Sequence, residues 1–341
     1  MDVALKIWRY DPESGERVLR DYEVEAPEWA CLLDVLDIIK DTRDGTLSYR
    51  KSCRMMICGS CGMRMDGRAI LACKERMKPI VDRGHVPVIS AMGNMPVLKD
   101  LVVDMQPFWT KVRRMKPWVE TGYEEIPEKE FLVSPEEMAP IQKEALCIMC
   151  GCCVSECNSM ESDPEFFGPA ALAKGFRFVG DPRDQETVER LESYNDEHGI
   201  WDCTRCYFCN ERCPKGVDPR DAIAKLGAES IRVGIDRDMG AKHAKWFVHS
   251  AKTTGWLRET ELVPKTQGVV SALKEVKFAV NLFKKGKVPL IPHVADEVQE
   301  ARALYEVVKS QGRDGAAGIV QSERALARLE HDGEIPPEAA E

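Results

Sequence analysis

The sequence predicts an α+β protein in which a small mixed unit precedes a helical one. Three observations support this fold class. Strand-like alternation of apolar residues is confined to the first hundred residues, helical spacing dominates the rest, and fourteen cysteines fall largely into three groups. The chain has 341 residues, of which 44% are apolar, enough for two or more ordinary cores.

The N-terminal region predicts two β-hairpins around one helix. Residues 3 to 9 alternate, residues 11 to 15 supply a turn, and apolar residues between 18 and 24 share one face of a second strand. Apolar residues from 32 to 39 recur at i, i+3, i+4 and i+7, which predicts an amphipathic helix. A second hairpin is expected over residues 63 to 71, with its turn at Asp-Gly.

The rest of the chain predicts helices. Residues 170 to 177 and 182 to 195 show helical patterns between two cysteine-rich loops, whereas three prolines between 107 and 127 indicate a connector over the surface. Apolar stripes at 269–283 and 294–308 predict two more helices, and no stripe follows Leu329, so the last thirty residues are expected to be disordered. The predicted domains are therefore 1–107, a connector at 108–133, 134–240, and a helical extension at 241–341.

Composition narrows the classes of function. No run of about 18 apolar residues is present, so any membrane contact is expected to be peripheral. The N-terminus lacks the pattern of a secretory signal, which predicts a cytosolic protein with reduced cysteines. A net charge of -9 disfavours nucleic-acid binding. Cysteines in such a chain are better interpreted as metal ligands than as disulfides.

The first cysteine group predicts a two-iron cluster. Cys53, Cys58 and Cys61 have the spacing C-x4-C-x2-C, and Cys73 follows behind the second hairpin. This is the plant-type ferredoxin arrangement, in which one loop supplies three thiolates and a more distant residue supplies the fourth. A zinc site is the alternative, although structural zinc sites usually pair two C-x2-C units.

The other two groups predict two four-iron clusters. Each has the spacing C-x2-C-x2-C-x3-C of two-cluster bacterial ferredoxins, in which the fourth cysteine of each run ligates the other cluster. One cluster is expected on Cys147, Cys150, Cys153 and Cys213, and the other on Cys157, Cys203, Cys206 and Cys209. The latter becomes a three-iron cluster if Cys206 is not a ligand. Cys31 and Cys152 remain, and we expect both to be packed in the interior.

Catalytic motifs are missing from the sequence. It contains no G-x-G-x-x-G, no G-x-x-x-x-G-K-[ST] and no H-E-x-x-H, and its six histidines show no convincing acid-base pairing. No catalytic residues are therefore predicted. A chain that holds three clusters and nothing else is expected to carry single electrons.

Four segments carry a resemblance to a known family. They are SCRMMICGSCGMRMDGRAILAC, CIMCGCCVSEC, FGPAALAKGFRFVGDPRD and CPKGVDPRDAI. Over residues 1 to 235 the chain resembles the iron-sulfur subunits of succinate dehydrogenases and fumarate reductases. The resemblance implies a β-grasp plant-type ferredoxin domain followed by an all-α two-cluster domain. It also implies an FAD-containing flavoprotein partner, and electron transfer through the 2Fe-2S cluster and the two remaining clusters towards quinone.

Two departures from the best-known members of that family are visible. Those members lack a cysteine matching Cys206 and carry a 3Fe-4S cluster, whereas this chain can complete a 4Fe-4S cluster. Their quinone-site proline and histidine are replaced by Asn158 and Thr204. The pattern is similar to members whose electrons leave through a cysteine-rich partner subunit. Residues 243 to 290 resemble the tail of the small iron-sulfur subunit of heterodisulfide reductases, which also binds such a partner.

The leading hypothesis is the electron-transfer subunit of a succinate dehydrogenase or fumarate reductase, held peripherally on the cytoplasmic face of the cell membrane through its partners. The alternatives are the iron-sulfur subunit of a thiol-driven fumarate reductase or a heterodisulfide-type reductase, and a zinc-stabilised scaffold without redox function. The flavoprotein is expected to dock beside residues 53 to 73, where Arg54 and Arg64 are predicted to be exposed. The lysines around residues 274 to 287 suit either a partner subunit or an anionic membrane surface.

Overall fold

The computed structural model describes residues 1–121, 128–287 and 293–310. The chain divides into two compact units, of which the first comprises Met1–Asp184 and His198–Ala224 and the second comprises Gln185–Glu197 and the chain from Lys225 onward. The disorder expected for the last thirty residues lies outside the described residues.

The first unit begins with a five-stranded mixed sheet in the order β2-β1-β5-β3-β4. Strand β1 is antiparallel to β2 and parallel to β5, and β3 is antiparallel to both β4 and β5. Both predicted hairpins are present. The strands are β1 Asp2–Tyr10, β2 Arg17–Glu25, β3 Gly62–Met65, β4 Arg68–Leu71 and β5 Val88–Ser90, and a separate pair is formed by β6 Val97–Lys99 and β7 Val102–Val103.

Helix α1, Leu32–Thr42, packs its predicted apolar face into the core of this sheet domain. Leu36 and Ile39 are completely buried, in the same core as Leu5 and Ile7 of β1. Burying an aliphatic side chain of this size stabilises the fold by about 2 kcal/mol, so the helix and sheet depend on each other. A second, short helix, α2, spans Lys78–Val81.

A buried arginine joins the strands of the sheet domain to its loops. Nε of Arg9 donates to Oδ1 of Asp100 at 2.8 Å, and Nη1 donates to the hydroxyl of Tyr22 at 2.7 Å and also pairs with Asp44. A buried charge is tolerated only when it is paired and hydrogen-bonded, as it is here. The network connects Arg9 of β1 to Asp44 and Asp100, which lie 35 and 91 positions away in the sequence.

Helix α3, Gln106–Arg114, lies where the sequence predicts part of a connector. The prolines of this region mislead because Pro107 stands in the first helical turn, where a missing backbone N–H costs nothing. Phe108 and Val112 are buried, so the segment is a packed element rather than a surface strap. Residues 122 to 127 of the predicted connector lie outside the described residues.

The remaining described elements are helices, as predicted. In the cysteine-rich part, α8 buries nine of its eleven residues, with Leu172 and Phe176 almost inaccessible. The helices are α4 Pro135–Met138, α5 Gln142–Ala145, α6 Cys152–Ser155, α7 Asn158–Ser162, α8 Pro169–Val179, α9 Thr187–Tyr194, α10 Phe208–Glu211, α11 Pro219–Arg232 and α12 Met239–Thr254.

The C-terminal stripes form helices whose bounds differ from the predicted ones. The stripe at 269–283 is divided at Glu275, and the helix in the stripe at 294–308 begins at Val298. In the cysteine-rich part, α9 begins five residues after the start of its predicted range. The last four helices are α13 Glu259–Thr266, α14 Val269–Lys274, α15 Val276–Lys284 and α16 Val298–Ser310. Among the helices that the structure describes, none is long and apolar enough to cross a membrane.

Candidate metal centres

The first predicted centre is a loop whose backbone wraps around a sulfur atom. Sγ of Cys53 accepts hydrogen bonds from the backbone N–H groups of Met55 at 3.4 Å and of Ile57 and Cys58 at 3.3 Å. Arg54, Met56 and Gly59 have positive φ angles, which bend the chain so tightly. N–H groups directed at cluster sulfurs are one means by which a protein sets a reduction potential.

The thiols of this loop differ in their tendency to ionise. Burial opposes ionisation of Cys58, but hydrogen bonds with the Ser60 side chain and the Cys53 backbone lower its pKa to about 6. Burial raises the pKa of Cys61 to about 12, and the neighbouring Cys73 thiol adds to the effect. The structure therefore brings the four predicted ligands into one loop region, since Cys53 contacts Cys58 and Cys61 interacts with Cys58 and Cys73.

The second predicted centre is a cavity lined by its four predicted ligands. The sulfur-bearing residues of this quartet are Cys147, Cys150, Cys153 and Cys213. Gly151, Ala170 and Ala173 complete much of the wall with small groups. The backbone N–H of Val217 donates to Sγ of Cys213 at 3.3 Å. Although Cys213 is 60 or more residues from the others in sequence, it closes their cavity, as the two-cluster ferredoxin spacing predicts.

The third predicted centre brings together the other quartet. The thiol of Cys209 interacts electrostatically with Cys203, Cys157 and Cys206, and Cys157 interacts with Cys203 and Cys206. Burial raises the pKa of Cys157 to about 11 and that of Cys209 to about 12. Cys206 is the exposed member.

The donor sets fit multi-iron clusters. Each quartet gathers soft thiol ligands in a site where burial and mutual repulsion oppose ionisation of several thiols. Only a bound cation would make four adjacent thiolates favourable, because metal binding replaces the protons. The twelve predicted ligands that these quartets gather are Cys53, Cys58, Cys61, Cys73, Cys147, Cys150, Cys153, Cys157, Cys203, Cys206, Cys209 and Cys213.

The two remaining cysteines are buried, as expected. Cys31 precedes α1 and caps it, because its backbone N–H and its thiol both donate to Oδ2 of Asp34, at 2.9 and 3.0 Å. Cys152 is fully buried, with Sγ 3.8 Å from the carbonyl oxygen of Ile70. A hydrogen bond from Cys152 lowers the pKa of Cys150 to about 7, so Cys152 supports a predicted ligand without belonging to a quartet.

The loops of the first and second centres are in direct contact. A Cβ atom placed on Gly59 would lie 2.8 Å from Cα of Cys150 and 3.1 Å from the carbonyl oxygen of Ile148. Gly62 is similarly close to the backbone of Cys150. Two glycines therefore let the first loop approach a ligand of the second centre at backbone distance. Short separations of this kind favour electron transfer between the two sites.

Arg64 stabilises this contact and is not the exposed docking residue that the sequence predicts. Its Nε donates to Oγ of Ser155 at 3.0 Å and to Oε1 of Glu156 at 2.9 Å. The adjacent Asn94 amide donates to the carbonyl oxygens of Val154 at 2.8 Å and Cys157 at 2.9 Å. The predicted exposure of Arg64 is wrong, because partners about 90 residues away in the sequence partly bury its side chain. Arg54 is about half exposed and pairs with acidic residues of α1.

Exposed apolar side chains lie beside the first and third centres. Met55 and Ile57, in the first loop, are 69% and 58% exposed. Tyr207 and Phe208, which follow Cys206, are 46% and 41% exposed. Neither pair was identified from the sequence, because exposure cannot be deduced from an irregular loop.

Thr204, which replaces the quinone-site histidine of the best-known family members, lies against Ser159. The hydroxyl of Ser159 accepts a hydrogen bond from the backbone N–H of Thr204 at 3.1 Å. Close by in sequence, Nδ1 of His198 lies 2.6 Å from Oδ2 of Asp163. No such pairing is evident from the sequence, because 35 residues separate the two partners.

Family models agree with the positions of the centres. A model described as a 2Fe-2S iron-sulfur cluster binding domain matches residues 4–110, and one described as a 4Fe-4S dicluster domain matches residues 145–217. Among solved structures, a chain of the Mycobacterium smegmatis Sdh1 complex in the apo form is similar, with a TM-score of 0.62 and 26% identity. That similarity covers 69% of this chain and 98% of the other.

Curated relatives extend the similarity. The fumarate reductase iron-sulfur subunit of Haemophilus influenzae is 38% identical, over 67% of this chain and 93% of the relative. The succinate dehydrogenase iron-sulfur subunit of Coxiella burnetii is 34% identical, over 67% and 97%. The 8-methylmenaquinol:fumarate reductase iron-sulfur subunit of Wolinella succinogenes is 32% identical, over 82% and 88%. The chain belongs to the family of fumarate reductase and succinate dehydrogenase iron-sulfur subunits.

Proposed function

We propose that the chain is the electron-transfer subunit of a succinate dehydrogenase or fumarate reductase complex. It relays single electrons between the FAD of a flavoprotein subunit and a quinone-reactive or cysteine-rich subunit at the membrane. The observation that carries this proposal is the grouping of twelve cysteines into three quartets in one compact unit, with the loops of the first and second in contact. A zinc scaffold would have no need for such proximity.

The ligand assignment follows the quartets. Cys53, Cys58, Cys61 and Cys73 bind one 2Fe-2S cluster, and the other two quartets bind one 4Fe-4S cluster each. Bound iron-sulfur clusters supply one-electron redox chemistry. The residues of this chain bind the clusters, exclude water from the buried thiols and hold the first two loops together through Gly59 and Arg64. No residue of the chain is assigned a catalytic role in hydride transfer.

The two partners exchange electrons with different centres, one with the first and the other with the third. The flavoprotein docks beside Met55 and Ile57, which expose apolar surface next to the first quartet. The electron-exchanging partner of the third centre docks beside Tyr207 and Phe208. Exposed aromatic and apolar residues of this kind are typical of the centres of protein interfaces. Through these partners the chain resides on the cytoplasmic face of the cell membrane.

The extent of one similarity favours a menaquinol-linked reductase among the alternatives. Residues 1–240 are about 70% of the chain, so a match over 82% necessarily includes part of the C-terminal helices. That match is to a subunit named for 8-methylmenaquinol:fumarate reductase. A thiol-driven fumarate reductase or a heterodisulfide-type reductase remains the second candidate, on the resemblance of the C-terminal segment.

The test is anaerobic purification of the intact complex, followed by identification of its flavoprotein and by iron analysis. We expect about ten iron atoms per chain, from one 2Fe-2S and two 4Fe-4S clusters. We also expect succinate oxidation and fumarate reduction with quinone-type carriers. The double variant Met55→Asp/Ile57→Asp should lose the flavoprotein and retain its iron, whereas Leu132→Asp, at a residue 87% exposed, should lose neither. Zinc in place of iron would contradict the proposal.

A further inference from the structure

Helices α14 and α15 of the second unit form an exposed amphipathic segment that the electron-transfer function does not use. Among the large apolar residues of the described chain, six within residues 270 to 283 are exposed by 44% to 72%. Helix α15 has no buried residue at all. These six residues are Val270, Leu273, Val276, Phe278, Val280 and Phe283.

The apolar residues of α15 occupy one broad side of the helix. Val276, Ala279, Val280 and Phe283 recur at i, i+3, i+4 and i+7, which places them on one face. Phe278 and Leu282 widen this face. At about 100° per residue the apolar arc spans roughly 200°, twice the minimum width of a helix face that packs on a protein core. A helix so largely apolar and yet exposed requires another apolar environment.

The narrow polar side of α15 is basic. Lys277, Asn281 and Lys284 fall on it, and the residues from 269 to 287 contain five lysines and one glutamate, a net charge of +4. The whole chain has a net charge of -9. The segment is therefore a positive region on an acidic protein. All of its lysines are exposed, and they are Lys274, Lys277, Lys284, Lys285 and Lys287.

We propose that α14 and α15 form a membrane-binding segment that lies in the interface of an anionic phospholipid bilayer. The apolar arc enters the boundary between headgroups and acyl chains, and the lysines interact with lipid phosphates from its two edges. A protein groove would cover one side of the helix, whereas a bilayer surrounds the whole apolar arc. The otherwise acidic chain is repelled by anionic lipid, so this segment also orients the protein on the surface.

The experiment is vesicle flotation with the full chain carrying its clusters. One set of vesicles contains phosphatidylcholine alone and the other contains phosphatidylcholine with phosphatidylglycerol. We expect binding to the anionic vesicles, weakened about tenfold or more by the loss of positive charge in Lys277→Glu/Lys284→Glu/Lys285→Glu. Raising the ionic strength should have the same effect. Val280→Ser/Phe283→Ser should also weaken binding about tenfold, through lost apolar burial.

Matched controls carry the same changes elsewhere. Lys99→Glu/Lys129→Glu/Lys242→Glu and Leu98→Ser/Leu132→Ser alter exposed residues outside the segment and should bind vesicles as the wild type does. Far-ultraviolet circular dichroism and the cluster absorbance identify any variant that has unfolded. If a multiple variant has unfolded, the single variants Lys284→Glu and Phe283→Ser replace it. They should have smaller effects in the same direction.

Two results would overturn the proposal. One is failure of the wild type to bind anionic vesicles, or equal binding by the segment variants. The other is unchanged vesicle binding together with loss of a partner subunit from the complex, which would make the segment a protein-docking surface. Either result leaves the electron-transfer function intact, because iron content and flavoprotein binding are measured separately and do not depend on lipid.

Discussion

Asp181 is the buried carboxylate that fixes the end of helix α8. It is fully buried and accepts hydrogen bonds from Nε and Nη2 of Arg183 at 2.8 and 2.6 Å, and it also pairs with Arg177. Burial alone would raise the pKa of this group, but the hydrogen bonds from Arg183 and Arg177 lower it from 3.8 to about 2. The ionised form is thus favoured in the folded state.

We expect Asp181→Asn to lower the free energy of unfolding by about 2 kcal/mol at pH 7. Because the folded-state pKa is depressed, this contribution is fully present above pH 4 and is lost as the pH falls towards 2. Thermal unfolding at several pH values, monitored by circular dichroism, measures this contribution to stability. Asp82→Asn, which removes an exposed pair with Lys78, should change stability far less, because solvent screens such a pair. Equal effects of the two substitutions would contradict this account of Asp181.

The type of the proposed third cluster depends on whether Cys206 is a ligand. If it is a ligand, the oxidised wild-type protein holds a 4Fe-4S cluster that is silent in electron paramagnetic resonance. Cys206→Ser should then yield either a serine-ligated cubane or a paramagnetic three-iron cluster, with the other two clusters unchanged. Cys31→Ser, outside the quartets, should alter no cluster. A stoichiometric three-iron resonance in anaerobically prepared wild type would show that Cys206 is not a ligand.

Spacing predicts groupings of residues better than it predicts individual contacts. The motif C-x2-C-x2-C-x3-C already implies that Cys213 joins Cys147, because in two-cluster ferredoxins the fourth cysteine of each run ligates the other cluster. Arg64 and His198 carry no comparable local pattern. Their partners are 91 and 35 residues away, so only the folded chain reveals them.

At the scale of elements, the contact between the first two loops depends on Gly59. Gly59→Ala places a Cβ 2.8 Å from the backbone of Cys150 and also strains a residue whose φ is +71°. We expect the loops to separate, with a loss of about 1–3 kcal/mol of stability and slower electron transfer from the first centre to the second. Thermal unfolding and freeze-quenched reduction kinetics measure the two effects.

Gly67→Ala is the matched control for that substitution. Gly67 has a φ of +76°, but no atom lies within 4 Å of the position that an added Cβ would take, so this variant reports the cost of strain alone. It should reduce stability without slowing electron transfer. If both glycine variants slowed transfer equally, the contact with Cys150 would not be the cause.

The sequence predicts best the elements whose apolar residues recur at a regular spacing. The hairpins and α1 follow from alternation and from the i, i+3, i+4 spacing, because these patterns match the geometry of the backbone itself. The sequence does not predict helix α3, because Pro107 is compatible both with a connector and with the first turn of a helix. Only the burial of Phe108 decides between the two. The break at Glu275 is likewise invisible in a stripe that continues through it.

At the scale of the whole molecule, the chain divides its functions between its units. The first unit contains all three quartets, and the second contains the basic amphipathic segment. The family and its fold follow from four cysteine-bearing and flanking segments of the sequence. The docking surfaces do not follow from the sequence, because docking depends on the exposure of residues such as Met55 and Phe208 rather than on their spacing.

The last prediction concerns the isolated chain loaded with its clusters. It should accept single electrons from dithionite and return them to ferricyanide, but it should not oxidise succinate. Succinate oxidation transfers a hydride, and the sequence shows no nucleotide-binding motif of the kind that holds a hydride-accepting cofactor. Adding the cognate flavoprotein should restore succinate-dependent reduction of the clusters, measured by their bleaching in the visible region. The Met55→Asp/Ile57→Asp variant should respond to dithionite yet not to succinate with flavoprotein, which separates loss of docking from loss of clusters. Succinate oxidation by the isolated chain would contradict the prediction that this subunit only relays electrons.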